Sequence, residues 1–162
     1  MRNLKEVLAL VAVWGIIFLA GCAHPPALMD DADTVHAEAA REMAESGDWI
    51  TLHANTIRYL EKAPLMYWSL ALSYKIFGVN EFSSRLPIAL AALALMMATL
   101  MLGRFAFGEK AGFYSALAIG TCVGIYLFTR VLWPDVILTL FITMAFYCFL
   151  RAIDQQPRPK YA

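Results

Sequence analysis

Reading from charge to charge, four apolar runs divide this sequence, and a backbone in lipid has few ways to fold. Val7 to Met29 carries no charge, and His24, Pro25 and Pro26 end its usable span near Ala23. Leu86 to Gly103 is uncharged, Ala111 to Thr129 lies between Lys110 and Arg130, and Val136 to Leu150 extends back through Val131, Leu132 and Trp133. A hydrocarbon core offers no water to backbone N–H and C=O groups, so a spanning segment must be a helix or part of a closed barrel. A helix needs about 17–25 mostly apolar residues; the first three runs fit, and the fourth fits with its aromatic flank. Hydrophobic residues make up 60% of the 162-residue chain and charged residues 16%, against roughly 25% charged in soluble domains. The expected fold is all-α, a polytopic membrane helical bundle of about four transmembrane helices. They fall at about 7–23, 86–103, 111–129 and 133–150, with an outward loop over 24–85 that carries juxtamembrane helices.

A fifth run, Pro64 to Gly78, is about one turn short of a span and contains Lys75. Its aromatics and single lysine suit a helix lying in the interface plane. Arg2 and Lys5 precede the first span and put the N-terminus in the cytoplasm. With four spans the basic connector 104–110 and the tail with Arg151, Arg158 and Lys160 are cytoplasmic too. The long segment 24–85 and the Arg130–Asp135 connector then face outward together. A span at 64–78 would move the later basic connectors to the wrong side.

Asp30, Asp31 and Asp33 open the outward segment. A helix is expected over about Thr34 to Ser46, with Val35, Ala39 and Met43 on one face and His36 on the others. Asp33 or Thr34 suits its N-cap and Gly47 its stop. An irregular stretch follows, up to Arg58-Tyr59-Leu60-Glu61-Lys62.

Acids directly after a span belong at a helix N-terminus on electrostatic grounds alone. They equally supply a general base at the membrane surface, where a carboxylate orients and deprotonates an acceptor hydroxyl or amine. Arg58 and Lys62 precede the interfacial helix. Such side chains snorkel to the headgroup level, or they clamp a phosphate, lysine as a point charge and arginine as a fork. Asp135 is a second acid at a membrane edge, on the same side as the first three. His24, His36 and His53 have neither helical pairing nor a short spacing, so exposed loop histidines are the default and no metal is assigned to them. Cys22, Cys122 and Cys148 lack C-x-x-C spacing. A formal net charge of zero provides no basic field for nucleic acid.

These motifs together, namely Asp30 to Met43, Ser46 to Trp49, Arg58 to Pro64 with Tyr67-Trp68, Phe77-Gly78 and Ser84 to Pro87, resemble the integral-membrane glycosyltransferases that include the protein O-mannosyltransferases and the lipid A aminoarabinose transferase. The resemblance covers nearly all of the chain. It implies a GT-C type helical bundle with the active site on its first outward loop. It implies transfer of a sugar from a polyprenyl-phosphate carrier to a protein or lipid acceptor, with inversion, at the outer face of the inner membrane. The family's acidic pair supplies the catalytic carboxylate. Asp33 matches its second acid, while the first falls on Ala32, so Asp30 or Asp31 replaces it by a one-residue shift and the identity of the base stays open among the three. Lys62 matches the lysine that contacts the carrier phosphate, and Asp135 the acid of the second outer loop. Arg58, Tyr59, Glu61 and Arg85 match recurrent positions. A divalent metal is left open, with Glu61 a lone oxygen donor.

Family members run to several hundred residues and about a dozen spans. The expectation is therefore a fragment without transferase activity of its own. Two other readings compete. Leu19-Ala20-Gly21-Cys22 fits a lipobox, which would make the chain a lipoprotein anchored at Cys22. A non-catalytic membrane subunit or truncated remnant is the other; the uncharged middles of the spans weaken a transport role.

Overall fold

The computed structural model describes residues 2–23, 31–59 and 62–154, with side chains described for 4–22, 33–59 and 62–154. His24, Pro25, Pro26, Asp30, Glu61 and the basic tail after 154 lie outside the described residues, as does the side chain of Asp31. The chain is an all-α membrane protein: among the described residues three helices are long and apolar enough to cross a bilayer, and a bent pair adds a fourth if it is one span.

The first helical rod runs from α1 (Arg2–Trp14) through a π-helical turn, Gly15–Leu19, into the short α2 (Ala20–Ala23). The wider π turn follows Trp14, whose indole N–H donates to the Ala89 carbonyl at 2.7 Å and fastens the rod to its neighbour. That neighbour is α5 (Glu81–Phe107), the most buried span. It starts five residues before the uncharged run because Asn80 and Ser83 form a reciprocal capping box, which satisfies two N–H groups at the helix start. Pro87 cannot donate to the carbonyl one turn back. That carbonyl, on Ser83, accepts instead from the Ser73 hydroxyl of α4 at 2.7 Å.

The run 111–129 departs from expectation. It forms two helices, α6 (Glu109–Gly120) and α7 (Val123–Arg130), bent by 45° at Thr121–Cys122. The helix lapses where Gly120, Thr121 and Gly124 cluster, all weak helix formers, and the Thr121 hydroxyl bonds back to the Leu117 carbonyl. The last span is α8 (Asp135–Ile153), which Pro134 opens, so Trp133 precedes it. Outside the spans lie α3 (Asp31–Ser46), a two-residue hairpin of β1 (His53–Ala54) and β2 (Ile57–Arg58), and α4 (Leu65–Phe77). The hairpin occupies the stretch expected to be irregular; its turn holds Asn55 and Thr56 at φ 54° and 66°. Helix α4 buries Met66, Tyr67, Leu70, Ala71, Ser73 and Tyr74 and exposes Leu65, Trp68, Leu72 and Ile76.

Candidate functional site

The site is built on α3. The helix begins at Asp31, three residues before the expected start, so Asp33 lies inside its first turn and is not its N-cap. The reason is tertiary: the Asp33 carboxylate accepts the Leu132 backbone N–H at 2.6 Å, across 99 residues of sequence. The stripe facing the core is Asp33, His36, Ala40 and Met43, with Ala39 beside it, all buried. It is rotated from the expected face, leaving Val35 half-buried and taking His36 inside. His36 is therefore not an exposed loop histidine.

That contact joins the acidic turn to the connector between α7 and α8, where Asp135 is half-buried as the first residue of α8. Two arginines complete this end of the bundle. Arg85 is 1% exposed; its Nε donates to the Arg130 carbonyl at 3.1 Å, and its Nη1 is buried without a hydrogen-bond partner among the described residues. Arg130 donates from Nη1 to the Gly21 carbonyl at 2.7 Å and from Nη2 to the Tyr126 hydroxyl at 2.9 Å. A Cβ on Gly21 would run into that guanidinium, so glycine is what lets the arginine lie across the first rod. Arg85 carried only a sequence match, and Arg130 was only the neighbour of an acid. The uncharged surroundings of each were the available signal.

The basic segment reaches α3 from the other side. Asp48 starts it by accepting the Ile50 and Thr51 N–H groups at 2.9 and 3.0 Å. Those bonds, that of Thr51 foremost, hold its carboxyl below the usual range. The Thr56 N–H at the hairpin turn donates to the Glu42 carboxylate of α3 at 3.1 Å. Tyr59 returns its N–H to the Leu52 carbonyl at 2.8 Å and stacks edge-on against His36 and Tyr67. Arg58 is exposed on β2, its Cα paired with that of His53, and Lys62 is exposed just before α4. On the outer face of α3, Arg41 bridges Glu38 and Glu45. The hydrogen bond from Arg41 is the main reason the Glu38 carboxyl lies below its ordinary range.

The structure thus brings Asp33, Arg85 and the approach to Asp135 together, and Tyr59 onto the same helix, with Arg58 exposed on β2 beside Tyr59. Sequence reasoning missed His36 and Tyr67 as a buried pair. The spacing 33, 36, 40, 43 was the helical signal that could have found the first. Among the described residues, no group of three His, Cys, Asp or Glu side chains is arranged to hold a metal ion.

Residues 61–161 match the family model described as dolichyl-phosphate-mannose-protein mannosyltransferase. The undecaprenyl phosphate-alpha-4-amino-4-deoxy-L-arabinose arabinosyl transferase of Shewanella sediminis is 39% identical over 124 residues, covering 74% of this chain and 22% of that protein. A second such transferase, from Sodalis glossinidius, is 30% identical over 162 residues, covering 98% of this chain and 28% of its own length. The crystal structure of ArnT from Cupriavidus metallidurans bound to undecaprenyl phosphate aligns with a TM-score of 0.80 at 26% identity, over 98% of this chain and 28% of that one. The chain spans between 22% and 28% of the length of these relatives.

Proposed function

The chain belongs to the dolichyl-phosphate-mannose-protein mannosyltransferase family, and on that premise we propose that it is part of a transferase that moves a sugar from a polyprenyl-phosphate carrier to a protein or lipid acceptor. It works at the outer face of the inner membrane, with its N-terminus cytoplasmic and segment 24–85 outward. The observation that carries this reading is the bond from Leu132 to Asp33. It supports one polar surface made from both outer connectors, on the helix against which Tyr59 packs.

The chemistry follows from the residues. A carboxylate of the acidic turn takes the proton of an acceptor hydroxyl or amine. The acceptor atom attacks the anomeric carbon from the face opposite the phosphate. The new bond to the acceptor forms as the bond from the anomeric carbon to phosphate oxygen breaks, and the electron pair leaves on the carrier phosphate. Lys62 meets the charge that develops there, with Arg58 as a second cation and Tyr59 fixing the strand. Asp135 lines the acceptor side. Asp33 already spends one oxygen on Leu132, which supports Asp30 or Asp31 as the base and Asp33 as the acid that fixes the turn. Glu61 is the oxygen donor to examine if turnover depends on a divalent ion.

Binding of undecaprenyl phosphate to the 162-residue chain in lipid nanodiscs tests the donor half of the reading. Binding that weakens at least about tenfold in Lys62→Ala, the loss expected of a charge-assisted contact, supports it; binding that ignores Lys62 refutes it. We also propose that the 162-residue chain by itself does not turn over, since it spans at most 28% of these relatives. Sugar transfer by the purified chain would refute that part. A lipoprotein anchored at Cys22 fits poorly, because Cys22 is 4% exposed inside α2 and the preceding carbonyl is held by Arg130.

A further inference from the structure

We infer that His36 and Tyr67 are positioning residues for the carrier-phosphate site, setting where Lys62 stands relative to the acidic turn; this rests on the reading of Lys62 given above. The two side chains form a buried pair, 4% and 0% exposed. The Tyr67 hydroxyl and His36 Nδ1 are 2.8 Å apart, and their rings meet edge to face at 5.6 Å. Tyr59 closes the triangle, 6.2 Å from His36 and 6.3 Å from Tyr67, again edge to face. Such contacts prefer one mutual orientation and stabilise it beyond simple burial.

Each corner of the triangle belongs to a different part of the site. His36 lies one helical turn after Asp33, on the same buried stripe of α3. Tyr67 sits in the first turn of α4, directly after the basic segment. Tyr59 is three residues before Lys62, and a chain rises at most 3.3–3.6 Å per residue, so Lys62 is confined to about 11 Å from it. The triangle therefore ties the point from which that reach is measured to α3 and α4. Loosening that point would widen the positions open to the lysine and add backbone entropy to be lost on binding. The hydrogen bond selects the ring orientation against which Tyr59 packs, so the pair acts through Tyr59 and touches no substrate.

The test is undecaprenyl phosphate binding by the 162-residue chain in nanodiscs, with thermal unfolding measured beside it. Tyr67→Phe keeps the ring and removes the hydroxyl, and His36→Leu removes the ring nitrogen that the hydroxyl meets. Each is expected to weaken binding about tenfold, the scale of one buried hydrogen bond, without matching loss of folded protein. His36→Asn, whose amide can accept through its oxygen or donate through its nitrogen near the Nδ1 position, is expected to recover most of the affinity, which a purely space-filling role would not produce. If Lys62→Ala weakens binding while both Tyr67→Phe and His36→Leu bind as the parent does, the positioning role is wrong and the phosphate site stands. Equal weakness in His36→Leu and His36→Asn also overturns it. If the parent chain fails to bind, or Lys62→Ala binds as well as the parent, the underlying reading falls and takes this inference with it.

Discussion

The two ends of the helical bundle are closed in opposite ways. At the end that carries Asp33, long side chains reach across gaps and bond to backbone: Asp33 to the Leu132 N–H, Arg85 to the Arg130 carbonyl, Arg130 to the Gly21 carbonyl. At the other end the backbones themselves touch. Gly103 and Gly112 let α5 and α6 approach until a Cβ on Gly103 would lie 2.7 Å from the Gly112 Cα. Arg104 then pairs with Glu6 at 2.5 Å and Glu109 at 3.0 Å, with side chains 19%, 20% and 44% exposed. The Glu109 pair is half-exposed and adds little, so the glycine contact and the more buried Arg104–Glu6 pair close that end. Direct backbone approach leaves no room for a ligand. Side chains that bridge separated segments leave polar groups at a surface, and the candidate site lies on the bridged end.

The sharpest way to break this contrast is Gly112→Leu. Its Cβ would meet the Arg104 backbone nitrogen at 2.6 Å and the Leu100 carbonyl at 2.8 Å, atoms that cannot move without the helix. A loss of about 3 kcal/mol or more is expected, read by unfolding in detergent; unchanged stability would show that the helices need no such approach. Arg85→Met comes next, at about 2–3 kcal/mol, because it deletes a donor to a buried carbonyl and a cation among buried polar groups. Were its unfolding midpoint to match the parent's, the bridged end would owe nothing to that guanidinium. Gly21→Ala should cost only about 1 kcal/mol, since the atoms in its way are the tip of the Arg130 side chain. Hydrogen exchange should quicken at 131–134 and not at 103–112. If Gly21→Ala proved as costly as Gly112→Leu, the distinction between bridged and touching ends would fail.

The smallest effect separates α3 and its turn from both ends. Glu38 is held below its ordinary range chiefly by the Arg41 hydrogen bond, and Asp48 by the Thr51 and Ile50 N–H groups. A depressed folded value means the stabilisation is complete above the unfolded values, about 4.3 and 3.9, and is lost as pH falls through the lower folded ones. Exchange protection over 38–51 should therefore persist at the unfolded values and fade only as pH falls below them, while the spans hold. The Glu38 share should vanish in Arg41→Ala. Protection that stays flat as pH falls below the unfolded values would remove these carboxylates from the account of the loop.

Much of the fold could be read in advance because lipid imposes a strong rule on composition. Runs without charge identified the spans, and Gly47, with φ 74°, stopped α3 where a glycine was expected to. The boundaries were harder. The start of α5 moved to Glu81 because an Asn80–Ser83 capping box can carry charged residues into a helix, and α6–α7 broke where small, weak helix formers meet. At the candidate site, Asp33, Tyr59, Lys62 and Asp135 were singled out by residue type and motif match. The burial of Asp33 and His36 could not, since a carboxylate at a helix start is ordinarily solvated and a histidine among acids looks exposed.

The sequence by itself therefore determined the solvent of each segment and the family, because apolar length and ordered motifs are local properties. Tertiary structure alone decided the partners. The N–H that Asp33 satisfies lies 99 residues away on Leu132, and the carbonyl that Arg130 takes lies 109 residues away on Gly21. Backbone partners have the same chemistry at every residue, so no side-chain pattern along the chain marks them; they are fixed only when helices pack and one segment is carried to the other.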